Sequence, residues 1–163
     1  MAADLSLRAA TFSTPLGPFT VFVSEVGVVA TSNGLARHTG PEPLRVLTPA
    51  ELADVGHELE AYFDGRLRRF RTPVDLSFAG TSFARTVLDV THAIPYGQMW
   101  TYGDVAGMAG RPGAARAAGS VLARCPIELF VPCHRVVPAG AGLGRYGGDE
   151  DRRLALLRLE GAI

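Results

Sequence analysis

The chain has 163 residues, 47% hydrophobic and 20% charged, with 16 arginines, no lysine, 16 acidic residues and a formal charge of zero. It is long and apolar enough for one or two small domains with a buried core, which excludes an intrinsically disordered chain. No apolar run approaches the ~20 residues of a membrane-spanning helix, Met1-Ala2-Ala3-Asp4 does not open a signal peptide, and two cysteines make no disulfide framework, so a reduced, cytoplasmic setting is expected.

In chain order, Leu7–Phe12, Phe19–Val23 and Val26–Thr31 read as strands in a hairpin pattern, the first two joined by Thr14-Pro15-Leu16-Gly17-Pro18. Gly40–Pro43 reads as a loop. Thr48, Pro49 and Glu51 spell a capped helix start, Leu52, Val55, Leu59 and Phe63 give its apolar face, and Gly65 stops it. The basic, then proline-broken segment Arg66–Gly80 is the linker candidate. Phe83, Val87 and Val90 predict a short helix ending near Ile94-Pro95. Thr101 and Asp104 cap another that carries Val105 and Met108. Gly110-Arg111-Pro112-Gly113 breaks it, and a further helix runs from about Ala114 to Ala123. This pair fits a helix-turn-helix or an ordinary helical hairpin. After the apolar stretch Ile127–Val137 and a glycine-rich loop, Gly140–Gly148, Asp149-Glu150-Asp151 opens a last helix with Leu154 and Leu157 inward and Gly161 as its stop.

Charge is uneven along the chain. Residues 1–80 carry 7 Arg and 9 acids (net −2), and residues 81–163 carry 9 Arg and 7 acids (net +2). From Arg111 to Arg145 five arginines (Arg111, Arg116, Arg124, Arg135, Arg145) face one acid, Glu128. That stretch is either a solvated face or a local surface for nucleic acid.

Chemistry concentrates in Val131-Pro132-Cys133-His134-Arg135-Val136-Val137. A thiol is a strong nucleophile only as thiolate, and an imidazole and a guanidinium follow this one directly. The alternative is a small buried cysteine, although apolar flanks around a polar Cys-His-Arg centre are unusual for a purely structural strand. Cys125, Cys133, His38, His57, His92 and His134 show no metal-ligand spacing, and no nucleotide-binding loop follows a strand, so neither metal nor cofactor is expected. Pro126 and Pro132 stiffen the segment between the two cysteines, which are therefore not expected to pair.

Pro132-Cys133-His134-Arg135-Val136 resembles the active-site signature of the O6-alkylguanine-DNA alkyltransferases (methylated-DNA–protein-cysteine methyltransferases). The likeness continues in family order through Ile94-Pro95-Tyr96-Gly97, Thr101-Tyr102-Gly103, Ala114–Gly119, Gly144–Gly148 and Leu156–Gly161, with weaker echoes at Thr14–Gly17 and Tyr62–Gly65. It implies an α/β (α+β) fold: a small N-terminal domain (1–78) with an antiparallel sheet and helix, packed on a mainly helical C-terminal domain (79–163) containing a helix-turn-helix.

The resemblance also implies a DNA repair activity. The protein would flip an O6-alkylguanine out of double-stranded DNA and transfer its alkyl group irreversibly to Cys133, once per chain and without a cofactor. His134 would deprotonate Cys133 through a water, with Glu160 orienting the imidazole; on its own Glu160 reads as an exposed helix-end residue. Tyr102 would help rotate the nucleotide and donate to the base, and Arg116 would fill the gap left in the stack. Ala115, Gly119 and Arg135 would join the DNA contact, the small residues letting a helix approach the groove or simply packing tightly. Val136, Tyr146, Gly147 and Gly148 would wall the alkyl pocket. The implied partner is lesion-containing duplex, with no membrane and no obligate protein partner, and a monomer is expected.

Cys125 stands where the family usually places Asn before proline, an amide that ties the recognition helix to the active-site segment. A thiol is a weak hydrogen-bonding group by comparison. This departure keeps open an alternative, an alkyltransferase-like protein that binds lesions without repairing them. Leu88 where Trp is common, and Gly147 where some members have Ser, are smaller departures.

Overall fold

The computed structural model describes residues 6–35, 40, 43–140, 142–144, 146 and 149–163. The chain divides into two compact units, Met1–Asp75 and Leu76–Ile163.

In the first unit β1 (Leu7–Thr14) and β2 (Gly17–Val23) form an antiparallel hairpin, in register from Arg8 opposite Val23 to Thr14 opposite Gly17. β3 (Val28–Asn33) adds antiparallel to β2. It starts two residues later than the sequence pattern indicates, because Ser24 N–H bonds the Gly27 carbonyl at 2.9 Å and turns Val26 out to solvent. β4 (Leu44–Val46), three residues long and not expected, pairs parallel with β1, so the sheet is mixed, in the order β3-β2-β1-β4. β2 lies inside the sheet and is buried from Phe19 to Val23. The hydroxyl of Thr20, buried there, is satisfied by Thr11 at 2.8 Å and the Gly34 carbonyl at 2.7 Å.

A 3-10 turn, Pro49–Leu52, leads into α1 (Ala53–Phe63), and the Glu51 carboxylate accepts the Thr48 N–H at 2.8 Å. α1 buries Val55, Leu59 and Tyr62, and packs on β1. Tyr62, rather than Phe63, supplies the buried ring.

The segment expected as a linker is pinned as far as Asp75. The Glu58 carboxylate accepts the backbone N–H groups of Arg71 and Thr72. Val74 bridges to Val28, and Ser24 donates to Asp75 at 2.6 Å. Gly27 permits this, since a Cβ there would overlap the Pro73 carbonyl. Prolines and polar residues marked the segment as irregular, and irregular it is, but its backbone groups have fixed partners.

The second unit comprises α2 (Ser82–His92), β5 (Trp100–Thr101), α3 (Tyr102–Met108), α4 (Ala115–Ala123), β6 (Val136–Val137) and α5 (Glu150–Leu159). α2 is capped by Thr81, which accepts the Ala84 N–H at 3.0 Å, and buries Val87, Leu88 and Thr91. Thr101 and Asp104 cap α3 reciprocally, at 3.0 and 2.8 Å. Gly110 and Gly113, at φ +85° and +87°, carry the turn to α4 through a region β-carbons disfavour. α2, α3 and α4 pack on one another. β5 and β6 pair in parallel, Trp100 with Val136 and Thr101 with Val137, which lashes the start of α3 to the segment carrying Cys133.

Asp149 caps α5 by accepting the Arg152 N–H at 3.2 Å. Its buried face is Arg152, Arg153, Leu156 and Leu157, with Leu154 only partly covered. The apolar period misplaced this face because two arginines turn inward to carboxylate and carbonyl partners. Among the described residues no helix is long and apolar enough to cross a membrane.

Candidate active site

Between α4 and β6 the chain runs from Arg124 to Arg135 with no regular element except a 3-10 turn, Cys133–Arg135. Two tight turns shape it: Phe130 N–H bonds the Glu128 carbonyl and Cys133 N–H the Val131 carbonyl, both at 2.8 Å. Leu129, at φ +68°, is the non-glycine residue with positive φ among those described. A leucine there costs on the order of 1–2 kcal/mol, offset here by burial of Leu129, Phe130 and Val131.

The 3-10 turn points two side chains inward. His134 is fully buried, and its Nε2 lies 2.8 Å from Oε1 of Glu160, the residue that caps the end of α5. Arg135 donates to the same carboxylate from Nε at 2.9 Å and Nη2 at 2.7 Å, and to the Ile94 carbonyl from Nη1 at 2.7 Å. Burial pushes the Glu160 carboxyl up, but the hydrogen bonds and charges of His134 and Arg135 outweigh it and hold it at about 2. His134 is shifted down, its burial outweighing the carboxylate's pull, so the ring is neutral near pH 7. With Nε2 on Glu160, the neutral ring presents Nδ1 as acceptor, and that buried atom has no hydrogen-bond partner among the described residues.

Arg135 therefore differs from its expected place on DNA. It is 7% exposed, and carboxylate and carbonyl occupy its fork. Glu160, readable as a solvated helix end, is 5% exposed.

Cys133 is half-buried, and its thiol donates to the Ile127 carbonyl at 3.9 Å. Cys125, also half-buried, donates to that same carbonyl at 3.4 Å, and its sulfur is a second acceptor open to the one Cys133 proton. The prolines do not hold the cysteines apart, because the turns at 128–133 double the chain back. The bond to Cys125, burial and the nearby Glu128 charge all raise Cys133, so its resting form is the thiol and a base must take its proton. Cys125 is lowered by the bond from Cys133 against the effect of burial.

Glu128, the lone acid of the arginine-rich stretch, is the residue the sequence reading passed over. It accepts from Arg152 Nε at 2.8 Å and from the Tyr146 hydroxyl at 3.2 Å. The Arg153 guanidinium stacks on the Tyr146 ring at 4.8 Å and bonds the Leu143 carbonyl. Tyr146 is thus tied to α5, and burial together with the Glu128 charge keeps its phenol protonated. An acid alone among five arginines was the available signal. Val136, expected to line a pocket, is fully buried and offers no open surface. Gly147, Gly148, Arg145 and His38 lie outside the described residues.

Tyr102 opens α3, and Gly119 on α4 lies under its ring, where a Cβ would sit 3.7 Å away. Ala115 and Arg116 form the first turn of α4. Arg116 is exposed, with no hydrogen bond or ion pair to a described residue. Arg124 is exposed too, and Arg111 stacks on Phe83 at 4.8 Å. The basic stretch thus splits: Arg111, Arg116 and Arg124 face solvent, and Arg135 belongs to the interior.

Two family profiles match the chain: the DNA binding domain of 6-O-methylguanine DNA methyltransferase over residues 82–162, and its ribonuclease-like domain over residues 7–76. A methylated-DNA–protein-cysteine methyltransferase of Mycobacterium leprae is 39% identical over 157 residues, covering 94% of this chain and 92% of the relative. One of Methanosarcina acetivorans is 37% identical over 155 residues, covering 94% and 97%. Among solved structures, Mycobacterium tuberculosis OGT in complex with DNA superposes with a TM-score of 0.81 at 34% identity, covering 95% of this chain and 93% of that one. Profiles over both units and relatives along nearly the whole length, on a chain whose buried His-Glu pair adjoins a cysteine, agree: the chain belongs to the 6-O-methylguanine DNA methyltransferase family.

Proposed function

We propose that this protein repairs O6-alkylguanine in duplex DNA by taking the alkyl group irreversibly onto Cys133. The observation that carries the reading is the buried His134–Glu160 pair, whose His134 directly follows Cys133 and in which the carboxylate fixes Nε2 and leaves Nδ1 as the acceptor. The Cys133 proton passes through a water to His134, and the imidazolium is stabilised by Glu160. The thiolate then attacks the alkyl carbon, the carbon–O6 bond breaks, and its electron pair returns to the guanine, which regains a proton. The thioether formed is a poor leaving group, so each chain acts once, and a displacement of this kind calls for no cofactor.

The remaining residues serve access to the buried atom. α3 and α4 act as a helix-turn-helix, the small surface of Ala115 and Gly119 admits the groove, and Arg116 fills the stack as the base leaves it. Tyr102 donates to the rotated nucleotide, and Tyr146, braced by Glu128 and Arg153, walls the alkyl group. Arg135 acts at a distance from DNA by holding Glu160.

The test is intact-mass analysis after incubation with O6-methylguanine duplex. One methyl per chain, mapped to Cys133 and absent in Cys133→Ser, is expected. Tight binding with no adduct would move the protein to the lesion-binding class.

A further inference from the structure

We propose that Cys125 and Cys133 form a reversible disulfide, a modification site that masks the alkyl acceptor under oxidative conditions. The proposal rests on the reading of Cys133 as that acceptor. Both thiols lie against one carbonyl, that of Ile127, at 3.4 and 3.9 Å, and the Cys125 sulfur is an alternative acceptor for the single Cys133 proton. The two sulfurs therefore neighbour one oxygen atom, and pairing requires their approach to the ~2.05 Å of a disulfide. Both are half-buried, within reach of a small oxidant. The segment between them is fixed by the turns at Phe130 and Cys133, so their meeting is built into the backbone.

Hydrogen peroxide supplies the chemistry. One thiolate attacks a peroxide oxygen, the O–O bond breaks, and hydroxide leaves to become water, giving a sulfenic acid. The second thiol displaces a further water as the S–S bond forms. Two thiols lose two electrons and two protons, and peroxide is reduced to two waters. Cys125, the more acidic of the pair, is the thiol oxidised first and Cys133 the one that resolves it. The disulfide has no free thiol to accept an alkyl group, and it keeps Cys133 from irreversible higher oxidation.

The full chain is reduced, treated with equimolar hydrogen peroxide, and analysed by intact mass, non-reducing peptide mapping and single-turnover transfer from O6-methylguanine duplex. The expected result is loss of two hydrogens, a linked peptide pair spanning Cys125 and Cys133, and transfer reduced about tenfold or more and restored by dithiothreitol. Cys125→Ala, having no second thiol to form the link, should instead acquire one oxygen on Cys133 as sulfenic acid. With several equivalents of peroxide it should gain two or more oxygens, with loss of transfer that the reductant does not reverse. The wild-type map decides independently of that variant's folding. Free thiols at both positions after peroxide, oxygen on wild-type Cys133 as fast as in Cys125→Ala, or a link between two chains would each overturn the proposal. If the reduced protein never transfers alkyl, the acceptor reading fails and the masking role with it, even where the linked peptide forms. Active protein without the link refutes the disulfide alone.

Discussion

Glu160→Gln probes the buried cluster most directly. The carboxylate accepts three hydrogen bonds within 2.9 Å and is 5% exposed, and its native value of about 2 stands against an ordinary 4.5. That gap corresponds to roughly 3 kcal/mol, in line with removing one partner of a buried ion pair. Because the native value is depressed, the contribution is whole above about pH 4.5 and is lost as pH falls toward about 2. Glutamine also turns an amide N–H against a donor of Arg135 or His134. The variant should therefore melt roughly 10 °C lower at pH 7, with the gap to wild type narrowing between pH 5 and pH 3. Transfer to Cys133 should slow by about tenfold or more, since the imidazolium loses its counter-charge. Melting curves across that pH range, paired with single-turnover rates, make the check. A gap that stays constant in acid, or an unchanged rate, would refute the coupling of carboxylate to stability and base strength.

Gly119→Ala separates close packing from groove approach. Its new Cβ meets the Tyr102 ring at an ordinary 3.7 Å and raises helix propensity, so melting temperature should hold or rise while affinity for lesion duplex falls. A drop in stability with unchanged affinity would reverse that reading. Arg116→Ala should weaken binding to lesion-containing duplex by ~1–3 kcal/mol in a titration at fixed salt, whereas Tyr102→Phe should chiefly slow transfer. Wild-type behaviour of both would count against base flipping by these residues. Cys125→Asn should lower the melting temperature, because an amide is larger than a thiol that already has its carbonyl partner. The cost should be about 1–3 kcal/mol, and a rise in both stability and transfer rate would show the opposite.

What the sequence disclosed depended on how local the signal was. Caps at Thr101 and Asp149 are written in adjacent residues, and the helices begin there. β4 is three residues long, too short for a period to register, and its partner β1 is distant in sequence. The inward arginines of α5 defeated the apolar pattern, because burial of a guanidinium depends on partners at Glu128, Leu143 and Val136. Cys133 and His134 were legible as chemistry from their own types. The buried partnership of Glu160 was available only through resemblance, and Arg135 was placed on the wrong surface for the same reason: charge is visible in a sequence, a partner 25 residues away is not. The meeting of Cys125 with Cys133 hinges on Leu129 adopting a backbone region that nothing about leucine foretells.

The hub formed by Arg135 also bears on the order in which the second unit folds and unfolds. Its guanidinium joins the Ile94 carbonyl, 41 residues away, to the Glu160 carboxylate, 25 residues away in the other direction. Contacts of that separation cost more loop-closure entropy than the local ones that form α2, α3 and α4. Loss of the last turn of α5 would free His134 and Arg135 together while leaving most helical content intact. During mild denaturation, alkyl transfer should therefore disappear at a lower denaturant concentration than the far-ultraviolet helical signal, making repair activity the earliest reporter of this unit's opening.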